Sequence, residues 1–229
     1  MDVVLNFGSS ELREDNLLFQ WFRAGFNLTM FGDDTWIKLF PGMFKRSDGT
    51  TSFFVSDYTE VGILLLPRNI ASAWNFFASL QVDLNVSRHL SSELSSSDWD
   101  VSILHYLGLD HIGHLRGPSS HLVPDKLNEM STVIQTIYDS LAAKNQGPDP
   151  PLLLVMGDHG MSDAGSHGGA SVAEIMTPIV ALMPGKIKRT KVQRKMGLKC
   201  ISLIHILTCH QCCRFLRCIN RILCQLWPI

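Results

Sequence analysis

Two short stretches of this 229-residue chain hold most of its metal-ligand chemistry. The first reads Leu107-Gly108-Leu109-Asp110-His111-Ile112-Gly113-His114. The second reads Gly157-Asp158-His159-Gly160 and is followed by His167 within Gly165-Ser166-His167-Gly168-Gly169. Carboxylate oxygen and imidazole nitrogen are zinc ligands, and two-metal sites recur among phosphoryl-transfer enzymes. Asp110 and His114 are four residues apart, so one turn of helix puts both on one side. Asp158 and His159 are adjacent and need a tight turn, which Gly157 and Gly160 permit. The same residue types also serve as caps, turn residues and hydrogen-bonded core groups. Composition alone leaves both readings open. His105 falls inside a strand pattern and reads as a core histidine, while His89 and His121 read as surface or helix residues.

Strands and helices must bring these loops together. Val101–Leu107 reads as a buried strand leading into the first loop, and Leu152–Met156 as a second leading into Gly157-Asp158-His159-Gly160. Ile179–Met183 reads as a third. Between the first two, residues 124–143 predict a helix, with Pro124 in its first turn and one apolar stripe of Leu127, Met130, Val133, Ile134, Ile137 and Leu141. Upstream, 11–24 reads as a helix stopped by Gly25, and Phe26–Phe31 as a strand before the polar loop Gly32-Asp33-Asp34-Thr35. Strands separated by helices of this length imply βαβ units, hence an α/β fold whose mostly parallel sheet is flanked by helices. Functional loops in such sheets collect beyond the C-terminal ends of the strands.

Composition narrows the class. Hydrophobic residues make up 45% and charged residues 18% of the chain, which excludes a disordered protein. The net charge of −1 conceals two halves. Up to residue 185 there are 21 Asp and Glu against ten Lys and Arg; beyond it there are ten Lys and Arg, no acid and all six cysteines. The acidic part argues against nucleic acid as a partner. Met1-Asp2 does not open a secretory signal, and no run reaches the ~20 apolar residues of a membrane span. Two sequons, Asn27-Leu28-Thr29 and Asn85-Val86-Ser87, are weak pointers to a luminal protein.

The Asp/His loops also carry a resemblance. Leu107–His114, Gly157-Asp158-His159-Gly160-Met161 and Gly165-Ser166-His167-Gly168 resemble the metal-binding motifs of the alkaline-phosphatase superfamily. Within it, Gly32-Asp33-Asp34-Thr35-Trp36 and Ser56-Asp57-Tyr58-Thr59-Glu60-Val61 resemble the glycosylphosphatidylinositol (GPI) ethanolamine phosphate transferases, and look closest to the branch that modifies the second mannose of the anchor. The likeness covers residues 1–61 and 83–190. It implies an alkaline-phosphatase-like α/β fold with two zinc ions, at the luminal face of the endoplasmic reticulum membrane. Matched motif to motif, Asp110, His114 and His167 would ligate one zinc, Asp158 and His159 the other, and His111 need not be a ligand. The implied reaction moves phosphoethanolamine from phosphatidylethanolamine, through a zinc-activated threonine, to a mannose of the GPI precursor. A membrane subunit is a further implied partner.

Three departures accompany the resemblance. The family's first zinc aspartate and its threonine nucleophile belong to segments N-terminal to Met1, and neither Thr35 nor Thr50 and Thr51 fills that position. The expectation is therefore a partial catalytic domain over 1–190, a truncated or alternatively spliced and inactive form with no catalytic nucleophile and at most one well-formed zinc site. Residues 62–82 form an apolar insert, read either as a lipid-facing loop or, preferably, as a translated intron or cryptic exon. Residues 191–229 form a divergent, basic, Cys-rich tail. There Cys209-His210-Gln211-Cys212-Cys213 only superficially suggests zinc, and Phe215, Leu216, Ile219, Ile222, Leu223 and Leu226 share one helical face. Two rival functions stand beside the transferase: a soluble zinc-dependent phosphodiesterase of the same superfamily, and a non-catalytic binding protein.

Overall fold

A computed structural model describes residues 11–51, 68–144, 151–184 and 201–206, with the backbone alone for 68–80 and 201–206. The chain runs α1 (Leu17–Arg23), β1 (Leu28–Asp33), α2 (Thr35–Leu39), β2 (Phe44–Thr50), α3 (Arg68–Ser95), β3 (Val101–Tyr106), α4 (Gly108–Arg116), α5 (Leu122–Lys144), β4 (Leu152–Met156), α6 (Val172–Ile175), β5 (Ile179–Leu182) and β6 (Ile201–Ile206). The strands form one sheet in the order β2-β1-β3-β6-β4-β5. All neighbours are parallel except β5, which runs antiparallel to β4 at the edge. The expected α/β architecture with its mostly parallel sheet is what the chain adopts.

Helices cover both faces of the sheet, and the strand period decides which side chains they meet. Leu28 and Met30 of β1, with Val101 and Ile103 of β3, pack with Leu18, Phe40 and Met43. The alternate residues, Phe31, Leu104 and Tyr106, join Leu153 and Val155 under the helices α3, α4 and α5. From α5 come Leu127, Met130, Ile134, Ile137 and Leu141, the stripe expected from the sequence. β1 and β3 are buried at every position, as parallel strands covered on both faces should be.

Several elements depart from the sequence reading for identifiable reasons. The first helix starts at Leu17, not 11, because the Asn16 side chain accepts the Phe19 N–H at 2.9 Å and caps it there. β2, which has no counterpart in the sequence reading, is an edge strand whose Lys45, Arg46 and Asp48 break any apolar run. Arg46 instead makes paired hydrogen bonds to Glu93 (2.9 and 2.8 Å) and to Asp98 (2.7 and 2.9 Å), tying that edge to α3 and the loop after it. The predicted loop Gly108–His114 is a helix, α4. Helix α3 runs from within the expected insert, 62–82, straight into the segment beyond it. Residues 62–67 and the cysteine- and helix-like features at 209–226 lie outside the described residues.

Ile137 is fully buried in the α5 stripe. Truncating it leaves a cavity that close-packed neighbours cannot refill. Ile137→Ala should cost about 2–5 kcal/mol in urea unfolding, whereas Thr136→Ala, on the exposed face of the same turn, should stay within about 0.5 kcal/mol.

Candidate metal centre

The site lies just beyond the C-terminal ends of β3 and β4. β3 ends at Tyr106, and α4 starts two residues later, so Asp110 stands in its first turn and His114 one turn further on. Nδ1 of His114 donates to the Gly165 carbonyl at 2.7 Å. That bond fixes the ring and directs Nε2 at Asp110 Oδ1, 3.3 Å away. His167 Nε2 approaches the same oxygen at 3.5 Å. Asp110, His114 and His167 thus offer ligand atoms that all lie within 4.8 Å of one another.

The loop that delivers His167 is held from within. Glu174 accepts the Gly169 N–H at 3.0 Å and the Ser171 hydroxyl at 2.5 Å, and it also takes the Ser171 backbone N–H at 3.3 Å as its half of a capping box at the start of α6. Gly165 has φ of 77°, a conformation that suits glycine, and a Cβ there would run into the Gly113 carbonyl of α4. The loop and the helix therefore touch through backbone as well as through His114.

Asp158 and His159 follow β4 and lie beside this group without joining it. Asp158 accepts the backbone N–H of His159 at 2.8 Å, and its other oxygen is 3.6 Å from His159 Nε2. The His159 ring, anchored by Nδ1 to the adjacent Gly160 carbonyl at 2.9 Å, stacks on His167 with centroids 3.6 Å apart. His167 is thus the shared boundary between the two halves of the site. His111, given less weight as a ligand, is almost fully buried.

The electrostatics fit a cation. Asp110 is buried, and its Oδ1 accepts no hydrogen bond of acceptable geometry from the described residues, although two imidazole nitrogens face it. Burial pushes its carboxyl up, but His114, with His111 and His167 beyond, outweighs this and holds it below the usual range. Burial pulls His114 down, yet Asp110 and the Gly165 carbonyl leave it raised. Burial dominates at His167 and lowers it. With Nδ1 of His114 committed as a donor, neutral His114 presents a lone pair to a carboxylate oxygen. A proton or a metal ion between them relieves that repulsion, and one carboxylate with two imidazoles is a donor set suited to a divalent transition metal. The Nδ1–carbonyl bond is the orienting contact that metal-bound histidines require.

Two neighbours were not counted among the candidate site residues. Asp33 is buried at the C-terminal end of β1 and accepts the Thr35 N–H at 2.9 Å. The strand-end rule that selected Asp110 and Asp158 selects Asp33 equally. His105 accepts the Trp36 indole N–H on Nδ1 at 3.2 Å, and its field is shaped by Asp33, Asp110, His159 and His111. It is a buried core histidine, as its strand position implies, but it stands directly behind the site.

A helix-flanked, mostly parallel sheet with an Asp/His cluster beyond its strand ends places a group that could hold a divalent metal ion where α/β proteins carry their sites. The profile of the type I phosphodiesterase / nucleotide pyrophosphatase family matches residues 32–195, and the chain belongs to that family. Among curated relatives, human "GPI ethanolamine phosphate transferase 2, catalytic subunit" is 46% identical over 198 residues, 83% of this chain and 18% of that protein. "GPI ethanolamine phosphate transferase 2" of Aspergillus oryzae is 42% identical over 189 residues, 80% of this chain and 20% of that protein. The Kluyveromyces lactis protein of the same name is 38% identical and covers 97% of this chain and 25% of itself. The chain therefore spans a quarter or less of the length of these relatives.

Burial lowers the pKa of His105 from 6.5 to about 4, with Asp33 and Asp110 opposing. The unfolded chain takes up this proton first, so stability is present above about pH 6.5 and is lost as pH falls toward 4. In chelator, acidification from pH 7 to 4.5 should remove about 2 kcal/mol through this group. A His105→Gln variant, which keeps an acceptor for Trp36, should show a flatter pH profile in chemical denaturation over that range.

Proposed function

We propose that this chain carries the zinc-binding part of a transferase that moves phosphoethanolamine from phosphatidylethanolamine to a mannose of a GPI precursor. The observation behind this reading is the buried Asp110 oxygen faced by two imidazoles, in a chain whose relatives bear that enzyme's name. Asp110, His114 and His167 would hold one zinc, and Asp158 and His159 would contribute to a second. Zinc bound there supplies Lewis-acid stabilisation of charge on phosphoryl oxygens. The chain's own part is to orient the ligands. Gly165 fixes the His114 ring, Gly160 fixes the His159 ring, and Glu174 fixes the loop carrying His167.

We take the luminal face of the endoplasmic reticulum membrane, which the resemblance implies, as the place of action. The human relative is called a catalytic subunit, which supports a further subunit as partner. Among the described residues no helix is long and apolar enough to cross a membrane. Of the two sequons, Asn27 is exposed and Asn85 is buried in α3, so a glycan fits the folded surface at Asn27. A second reading, a phosphodiesterase acting on small soluble esters, draws on the family match itself.

Zinc per chain on monodisperse protein is the first test. About one equivalent should bind, and His114→Ala with His167→Ala should weaken it more than roughly 100-fold, beyond the effect of losing an outer contact. Zinc retained in the double variant would overturn the assignment of these ligands. Zinc-loaded protein should then be offered radiolabelled phosphatidylethanolamine with a mannosylated GPI precursor, and separately a nitrophenyl phosphodiester. Label on the mannose supports the transferase; release of nitrophenol without transfer selects the phosphodiesterase.

A further inference from the structure

Helix α4 carries two of the three clustered ligands, yet nothing in its own sequence caps it. Its N-cap position is Leu107, whose side chain accepts nothing. The missing acceptor comes from another helix. Asp83 of α3 takes the Leu107 N–H at 2.8 Å and the Gly108 N–H at 3.2 Å, both on Oδ1. Its Oδ2 meets Lys126 Nζ of α5 at 2.6 Å, and Lys126 also reaches Glu129 at 2.8 Å. Asp83 is 1% and Lys126 7% exposed. Gly108 is packed against this pair so closely that a Cβ there would overlap both the lysine arm and the carboxylate.

We propose that Asp83, held by Lys126, is a positioning residue for the metal centre, fixing the first turn of α4 and with it the Asp110 carboxylate. Three observations converge on this. Asp110 lies two residues beyond Gly108, within the turn whose free N–H groups Asp83 satisfies, so any unwinding there displaces the ligand itself. A negative charge at a helix N-terminus is favourable, and here it sits where water cannot screen it. A buried ion pair is a poor way to gain stability, since apolar residues of similar size often do as well. The geometry gives this pair a second role, because it binds α3, α4 and α5 together at the amide two residues before Asp110.

The proposal rests on Asp110, His114 and His167 being metal ligands, and the test separates the two ideas. Two double variants of the full chain remove the buried charges but differ in the cap. Asp83→Asn with Lys126→Met keeps an acceptor oxygen for Leu107 and Gly108; Asp83→Leu with Lys126→Met does not. Zinc affinity should be near that of the unaltered chain in the first and roughly 10- to 100-fold weaker in the second, the range for outer contacts to metal sites. The visible absorption of the cobalt-substituted protein should keep its band shape in the first and change in the second, a difference that lost stability alone does not produce. Equal zinc affinity and equal cobalt spectra would overturn the proposal. His114→Ala serves as the control: if it leaves zinc binding intact, the ligand assignment has failed instead. One arm needs no variant. Coupling is reciprocal, so zinc should slow hydrogen exchange at the Leu107 and Gly108 amides of the unaltered chain more than at α5 core amides such as Ile137. An equal effect at all of them would count against a specific link.

Discussion

A carboxylate taken out of water needs a positive or hydrogen-bonding partner, and the upper edge of this sheet buries three. Asp33, Asp83 and Asp110 are 4%, 1% and 8% exposed. Each leaves its mark on the local architecture. Asp33 takes the Thr35 N–H and starts α2. Asp83 takes two N–H groups and an ammonium and starts α4. Asp110, among the described residues, has neither a backbone donor nor a lysine, only imidazoles. That asymmetry sets the chemistry. Lysine neutralises Asp83 permanently, whereas histidines around Asp110 can give way to a metal ion and then bind it beside the carboxylate. The sheet supplies the edge, but the division of labour among these acids leaves Asp110 as the one suited to a metal ion and the other two as supports.

The histidines are ordered by the same logic. Each of His114 and His159 spends Nδ1 on a backbone carbonyl, leaving Nε2 toward the site. His167 lies between them, stacked on the His159 ring at 3.6 Å and tilted against that of His114 at 4.8 Å. His105, behind them, is held neutral by burial and by the indole donor of Trp36. A neutral core histidine adds no positive charge to compete with a bound cation.

Local features were legible in the sequence, and long-range ones were not. The α5 stripe, the buried β3 and β4 patterns and the Asp/His loops depend on residues close in the chain, and each could be read directly. Residues 108–114 read as a loop although the Asp110–His114 spacing fits one helical turn, because the cap that starts the helix comes from Asp83, 25 residues earlier. β2 was hidden because its polar side chains are matched by Glu93 and Asp98 rather than by a core. Asp33 could have been found by extending the strand-end rule to β1, but Gly32-Asp33-Asp34-Thr35 looked like a turn, and turns are where Asp is commonest. α3 was obscured by a composition that made residues 62–82 look foreign to the segment after them, although the helix passes through residue 82 and delivers Asp83 to the site.

The centre of the sheet belongs to a segment that the composition sets apart. Charge and cysteine content change near residue 185, and a division at 190 would leave Ile201–Ile206 in the tail. The backbone of that strand nevertheless pairs in parallel with β3 on one side and β4 on the other. β3 and β4 are the two strands whose ends carry the ligands, so one strand width on each side separates them by about 10 Å. Neither strand end alone can close that gap. The 157–171 loop does so by touching α4 through Gly165, which brings His167 to Asp110. The positive φ at Gly165 and Gly168, 77° and 94°, is what turns the loop back on either side of His167. The spacing of the metal centre is thus set jointly by a strand that contributes no ligand and by a loop that must reach across it.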